Sequence, residues 1–266
     1  MLTPCSATIP PRIFRNRSIN FSLLVQGLLN LSVSTHTFYL PFYFQSAKGT
    51  TAEASGICML PYLLSLTAGE LVVGAAVSAC GIFLPFIWFG SATFTIAAGL
   101  LYTLTTSTST ARIIGYQILA GAGIGSSMQL CATSVRRSVK DADIPIASAL
   151  SVFAPFFGSS LAMCIGQLIF RTMLSEQLLR SFSGIEVEAI ITAGARAGAA
   201  MVPEAQKVLV KKAYLYAVSR VFVTSIVTGG LAFLCALGIK WGNLRKGAKP
   251  KTEVDDQEQK KSQENV

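Results

Sequence analysis

Few side chains in this 266-residue chain can do chemistry, and those that can are scattered through apolar sequence. Glu70 lies inside PYLLSLTAGELVVGAAV. His36, the only histidine, follows hydroxyls at Ser32, Ser34 and Thr35, and Tyr39 comes one helical turn later. Gln117 and Gln129 stand twelve residues apart in a glycine-rich stretch. An ionisable group in such surroundings is costly when charged, so it faces a protein interior or a wet cavity, or it is protonated. For Glu70 this leaves two readings: a carboxylate that couples protons or holds a substrate cation, and a neutral carboxyl hydrogen-bonded between helices. Histidine changes charge near neutral pH, so His36 either forms a relay with Glu70 or packs as a hydrogen-bonded imidazole. The twelve-residue spacing is just over three helical turns, and the two amides are expected to line one cavity wall with Tyr39, against an organic substrate.

Other chemistries lack their residues. There is no nucleophile–base pair and no Cys-x-x-Cys or Cys/His spacing for a metal, so neither an enzyme nor a cofactor is expected. Five of the six cysteines, Cys58, Cys80, Cys131, Cys164 and Cys235, fall within or beside apolar windows and read as small packing residues. The glycines at 115, 121, 123 and 125 lack the lysine and preceding strand of a phosphate loop. They suit close helix approach in lipid instead.

The elements that must position these residues follow from composition. With 52% hydrophobic residues, 13% charged residues and a mean hydropathy of +0.54, the chain is suited to a bilayer. Windows at about 20–44, 57–80, 83–105, 113–135, 144–170 and 215–240 each approach the roughly 20 apolar residues a spanning helix needs. They are continuous runs, not the short alternating segments of a barrel. The expected fold is an all-α polytopic membrane protein, a six-helix transmembrane bundle. Residues 1–18 form a cytoplasmic approach and 19–241 the bundle, with an extracellular loop at 171–214. Residues 242–266 form a charged, disordered cytoplasmic tail. Inside the loop, SEQLL and VPEAQKVLVKKAY read as short amphipathic surface helices.

The net charge of +9 reads as a topology signal and not as nucleic-acid binding. Basic residues gather at Arg12, Arg15 and Arg17, at Arg136, Arg137 and Lys140, and along the tail from Lys240. All three places share one side if the spans alternate, which puts both termini in the cytoplasm. The seven tyrosines fall at or near the opposite ends of the windows, and Trp88 and Trp241 toward the cytoplasmic ends, as expected of interface anchors. Pro41 and Pro155 lie inside windows and should bend their helices.

Several longer runs form a recognisable series: PPRIFRNRSI, FYLPFYFQSAKGTTAEASGICMLP, GYQILAGAGIGSSMQ, IPIASALSVF followed by GQLIF, SGIEVEAIITAGARAGAAMVP and AYLYAVSRVF. Over about 10–243 this series resembles the C-terminal half of the fungal fourteen-span drug:proton antiporters of the major facilitator superfamily. The resemblance implies export of small amphipathic organic compounds, such as toxins or drugs, in exchange for protons, across the plasma membrane or the vacuolar membrane. It also implies a second, N-terminal half that this chain does not supply. The alternative is a non-transporting half-transporter or a membrane assembly partner. Three positions depart from the family pattern: VSACGIFLPF replaces a basic, polar turn, Pro155 stands where relatives commonly carry glutamine, and Glu70 stands where a small or apolar residue is expected.

Overall fold

The computed structural model describes residues 11–181, 191 and 204–240. Among these the elements are helices: α1 (Pro11–Phe14), α2 (Arg17–Ala47), α3 (Ala52–Ile57), α4 (Leu60–Cys80), α5 (Leu84–Tyr102), α6 (Thr110–Arg137), α7 (Ile144–Ser181) and α8 (Glu204–Leu237), with a 3-10 turn at Asp141–Asp143 before α7. Local signals explain where they start and stop. The Asn16 side chain accepts from Ser18 N–H to cap α2, and Thr51 does the same for α3 from Ala54 N–H. Prolines stand in the first turns of α4 and α5, where their missing N–H has no intrahelical partner to lose. Gly81, at φ +75°, takes the left-handed conformation that ends α4, and this permits a very short link to α5.

Five segments are long and apolar enough to cross a membrane: Ala52–Cys80, Leu84–Tyr102, Thr110–Arg137, Asp141–Arg180 and Lys207–Leu237. The first expected span, α2, has the length at 31 residues, but Gln26, Asn30, Ser32, Ser34, Thr35 and His36 lower its apolarity. Packing accounts for it. Helix α2 is the central element, set between α7 and α8 and touching α6, and it buries Gln26, Ser32, Thr35 and His36 inside the bundle. Helix α6 lies between α4 and α5, while α5 packs on α8 and joins the two groups.

Glycines set how closely the helices approach. A Cβ at Gly121 would lie 2.9 Å from Leu66 N, and one at Gly125 2.9 Å from Glu70 N, so this face of α6 seats α4. A Cβ at Gly123 would lie 2.6 Å from Phe94 N and 2.9 Å from Gly90 O, so the next face seats α5. A Cβ at Gly158 would lie 2.9 Å from the Gly27 carbonyl carbon, where α7 crosses α2. The glycine run is helix packing, as expected.

Two expectations need correction. The segments 171–181 and 204–214 are not separate surface helices: α7 and α8 run straight through them. Phe170, Leu174 and Leu178 continue one buried stripe at a spacing of four, and Val210 is buried likewise, so the core extends past the bilayer-thick window. At about 1.5 Å per residue, α7 reaches nearly twice the roughly 30 Å of a hydrocarbon core. Nor do the tyrosines form an interfacial ring. Tyr39, Tyr43, Tyr62 and Tyr214 are buried in the bundle and only Tyr102 is exposed, because depth along a window says nothing about which helix face a residue occupies. The tail, residues 182–190 and 192–203 of the loop, Cys5 and Trp241 lie outside the described residues.

The ends of the bundle sort as the hairpin order requires. At one end Arg12 pairs with Asp143 at 2.7 Å, Asn16 Nδ2 donates to Ser138 O at 2.9 Å, and Lys240 N donates to Ser18 Oγ at 3.2 Å. At the other, Tyr43 Oη donates to Thr105 O at 2.8 Å and Lys48 Nζ to Thr106 O at 3.0 Å. Two of the three basic groups thus share one end.

Candidate functional site

His36 sits on α2 with no exposed surface, enclosed by rings from three other helices. The ring centroids are 6.2 Å away for Tyr62 on α4, 5.5 Å for Phe94 on α5 and 5.3 Å for Phe222 on α8. Neither imidazole nitrogen has a hydrogen-bond partner among the described residues. The hydroxyls before it are structural. Ser32 Oγ lies 2.6 Å from Thr228 Oγ1 on α8, Ser34 Oγ donates to Ser159 Oγ on α7 at 2.8 Å, and Thr35 Oγ1 donates to Leu31 O. The bonds from Ser32 and Ser34 to neighbouring helices hold α2 in register in a medium that offers little competing water. Tyr39, one turn beyond His36, packs on Phe170 with centroids 5.5 Å apart, and its hydroxyl is also unpartnered.

Glu70 is half-buried on α4, with its backbone against Gly125 and no side-chain hydrogen bond or ion pair among the described residues. Of the two readings of His36, the relay with Glu70 is not formed. His36 meets α4 at Tyr62, and Glu70 follows Tyr62 by eight residues, about 12 Å along the helix.

The two glutamines do not share a wall either: Gln117 is buried and Gln129 exposed. Twelve residues advance a helix by three turns plus about 120°, so the spacing turns the second amide away from the first. Gln129 instead follows Gly125 by one turn and borders the seam at which Glu70 stands. The expected residues therefore fall into two sets: an open α4–α6 seam with Glu70 and Gln129, and an interior with His36, Tyr39 and Gln117.

Sequence reasoning missed three of the residues around His36. Tyr62 passed as an interface tyrosine, and Phe94 and Phe222 carried no signal that separates them from other apolar residues. Elsewhere, between α2 and α7, a groove of about 530 Å³ is lined by Leu24, Leu28, Leu150, Phe153 and Phe157, with Asn20 at its polar edge. Phe153 and Phe157 are stacked there, 5.7 Å between centroids, and both are more than half exposed. The bundle thus offers apolar surface to a hydrophobic partner and a few buried hydrogen-bonding groups, with no cluster of His, Cys, Asp or Glu for a metal among the described residues.

No protein-family model matches the chain. The rubrofusarin-specific efflux pump aurT of Gibberella zeae is 35% identical over 241 residues, 90% of this chain and 44% of that protein. The efflux pump aunC of Aspergillus niger is 35% identical over 235 residues, 88% of this chain and 45% of that protein. The MFS-type transporter astH of Aspergillus oryzae is 33% identical over 235 residues, 88% of this chain and 42% of that protein. About nine-tenths of the chain is thus similar to fungal proteins named as efflux pumps and MFS-type transporters. It spans less than half the length of each of these three relatives. Its membrane bundle resembles half of a major facilitator transporter, which agrees with the resemblance read from the motifs.

Proposed function

We propose that this chain is the C-terminal bundle of a membrane carrier that exports small amphipathic organic compounds, such as toxins or drugs, by proton antiport. The observation that carries the reading is similarity to efflux pumps over 88–90% of the chain. Carriers of this class rock two bundles about a central site, so the face left open by α4, α6 and α7 is where a second bundle would close. Leu63, Leu64, Leu71 and Val72 on α4 and Phe153 and Phe156 on α7 are exposed there. Lipid would cover the rest.

In this reading Glu70 takes and releases the proton at the open seam, Gln129 contacts substrate beside it, and Tyr39, His36 and Gln117 shape the interior behind. Both termini lie in the cytoplasm by the placement of the basic groups, and the membrane is the plasma membrane or the vacuolar membrane. The protein acts as a carrier and catalyses no covalent step.

Reconstitution into proteoliposomes tests this. A pH gradient should drive uptake of a lipophilic cation, and Glu70→Gln should abolish the gradient dependence. Uptake that persists unchanged in Glu70→Gln removes Glu70 from the mechanism. No uptake under any gradient favours a non-transporting bundle or an assembly partner.

A further inference from the structure

Five buried hydrogen-bonding atoms at one level of the bundle have no partner among the described residues: both imidazole nitrogens of His36, the Tyr62 hydroxyl, and Oε1 and Nε2 of Gln117. All three side chains are fully buried. The His36 and Tyr62 rings meet edge-on at 89°. Gln117 stands on α6 beside this stretch of α4. Its backbone carbonyl accepts from Ser65 Oγ at 3.4 Å, and Gly121, one turn on, packs directly on the Tyr62 carbonyl. Side chains on a helix lean toward its N-terminus. The Tyr62 hydroxyl is thereby carried from the Gly121 level toward that of Gln117.

Buried polar atoms in folded proteins are nearly always satisfied, and where protein supplies no partner an ordered water commonly does. One such atom alone would be an isolated defect. Here donors and acceptors on three neighbouring helices, α2, α4 and α6, come in complementary kinds: an imidazole with one of each, a hydroxyl that is either, and an amide with both.

We propose that His36, Tyr62 and Gln117 form an internal hydrated site that holds water and accepts a proton on the imidazole. Three aromatic rings surround the imidazole, with centroids 6.2 Å away for Tyr62, 5.5 Å for Phe94 and 5.3 Å for Phe222, so water inside the site is what would stabilise that charge. Tyr62 is the one titratable group in ring contact with His36. On α2 the nearest titratable neighbour is Tyr39, on α4 Glu70 lies two turns on, and on α8 Arg220 is turned over the Tyr216 ring, 4.7 Å from its centroid. Among the described residues no carboxylate pairs with the imidazole, so water is its proton partner. As a proton site for transport this rests on the antiport reading; as a hydrated pocket it does not.

Because His36 is the only histidine, the full-length protein labelled with isotopic histidine and placed in lipid nanodiscs gives a single imidazole signal. The expected result is a ring nitrogen with an exchange contact to water and a resonance that shifts as pH is lowered. In Tyr62→Phe and in Gln117→Leu the water contact should be lost or weakened several-fold. A ring with no water contact and an unchanged tautomer across the same pH range overturns the site, as does a water contact indifferent to both variants. The wild-type measurement needs no variant to fold. Gradient-driven uptake by the same purified protein reconstituted into proteoliposomes separates the two readings. A hydrated, titrating His36 without uptake upholds the site and removes the antiporter; uptake with a dry, non-titrating His36 does the reverse.

Discussion

The α4–α6 seam makes a quantitative prediction at Gly125. A methyl group added there would meet Glu70 N at 2.9 Å and the Leu66 carbonyl carbon at 3.1 Å, where ordinary contact begins at 3.4 Å. Those neighbours are backbone and the Leu66 carbonyl oxygen is nearer still, so α4 itself must withdraw from the seam by well over half an ångström. Overpacking of this kind costs about 1–3 kcal/mol. Gly115, on the same helix, is the control: nothing lies within 4 Å of its added Cβ. There an alanine gains helix propensity of up to about 1 kcal/mol. Gly125→Ala should therefore unfold below wild type and Gly115→Ala at or above it. For a chain of this size the overpacking corresponds to a fall of roughly 2–12 °C in the thermal midpoint. The assay is thermal unfolding of purified protein in one detergent at one scan rate, since such transitions in membrane proteins are commonly irreversible. Equal shifts for the two alanines would refute the claim that the glycine run sets helix distance.

Two further predictions concern the ends of the bundle. Arg12 is largely exposed in its pair with Asp143, so Arg12→Ala should cost about 0.5–1 kcal/mol at low salt, and thermal unfolding in high salt should show the gap to wild type close. Cys80 ends α4 in an exposed position on the end assigned to the cytoplasm. In a variant that keeps Cys80 as its single cysteine, a membrane-impermeant maleimide should label cells only after permeabilisation, and labelling of intact cells would reverse the orientation.

How much was legible in the sequence varies by feature. The apolar windows located the six long helices among the described residues, because the need to satisfy every backbone group in lipid leaves few alternatives to helix. The short link after α4 and the helix starts at Asn16 and Thr51 were written locally in residue type. The Gly121, Gly123 and Gly125 run was legible as close packing, since few other roles fit glycine at that density in an apolar segment. Window hydropathy failed at 171–181 and 204–214. It averages over the helix circumference, and there a buried stripe continues beneath charged residues.

Around the candidate site the limit was angular. Gln117 and Gln129 were legible as intramembrane amides, but their facing follows from 100° steps and from where neighbours stand, and the structure turns them apart. His36 and Glu70 were legible as unusual; their separation was not, because it depends on how far α4 slides along α2. Sequence by itself determined the medium, the helices and the kinship, since these rest on composition and on contacts near in the chain. Only the tertiary structure decided that α2 is central, that four tyrosines are interior and that three aromatic rings enclose the one histidine. Those facts belong to pairs of residues 26 to 186 positions apart, whose contact exists only once the helices have packed.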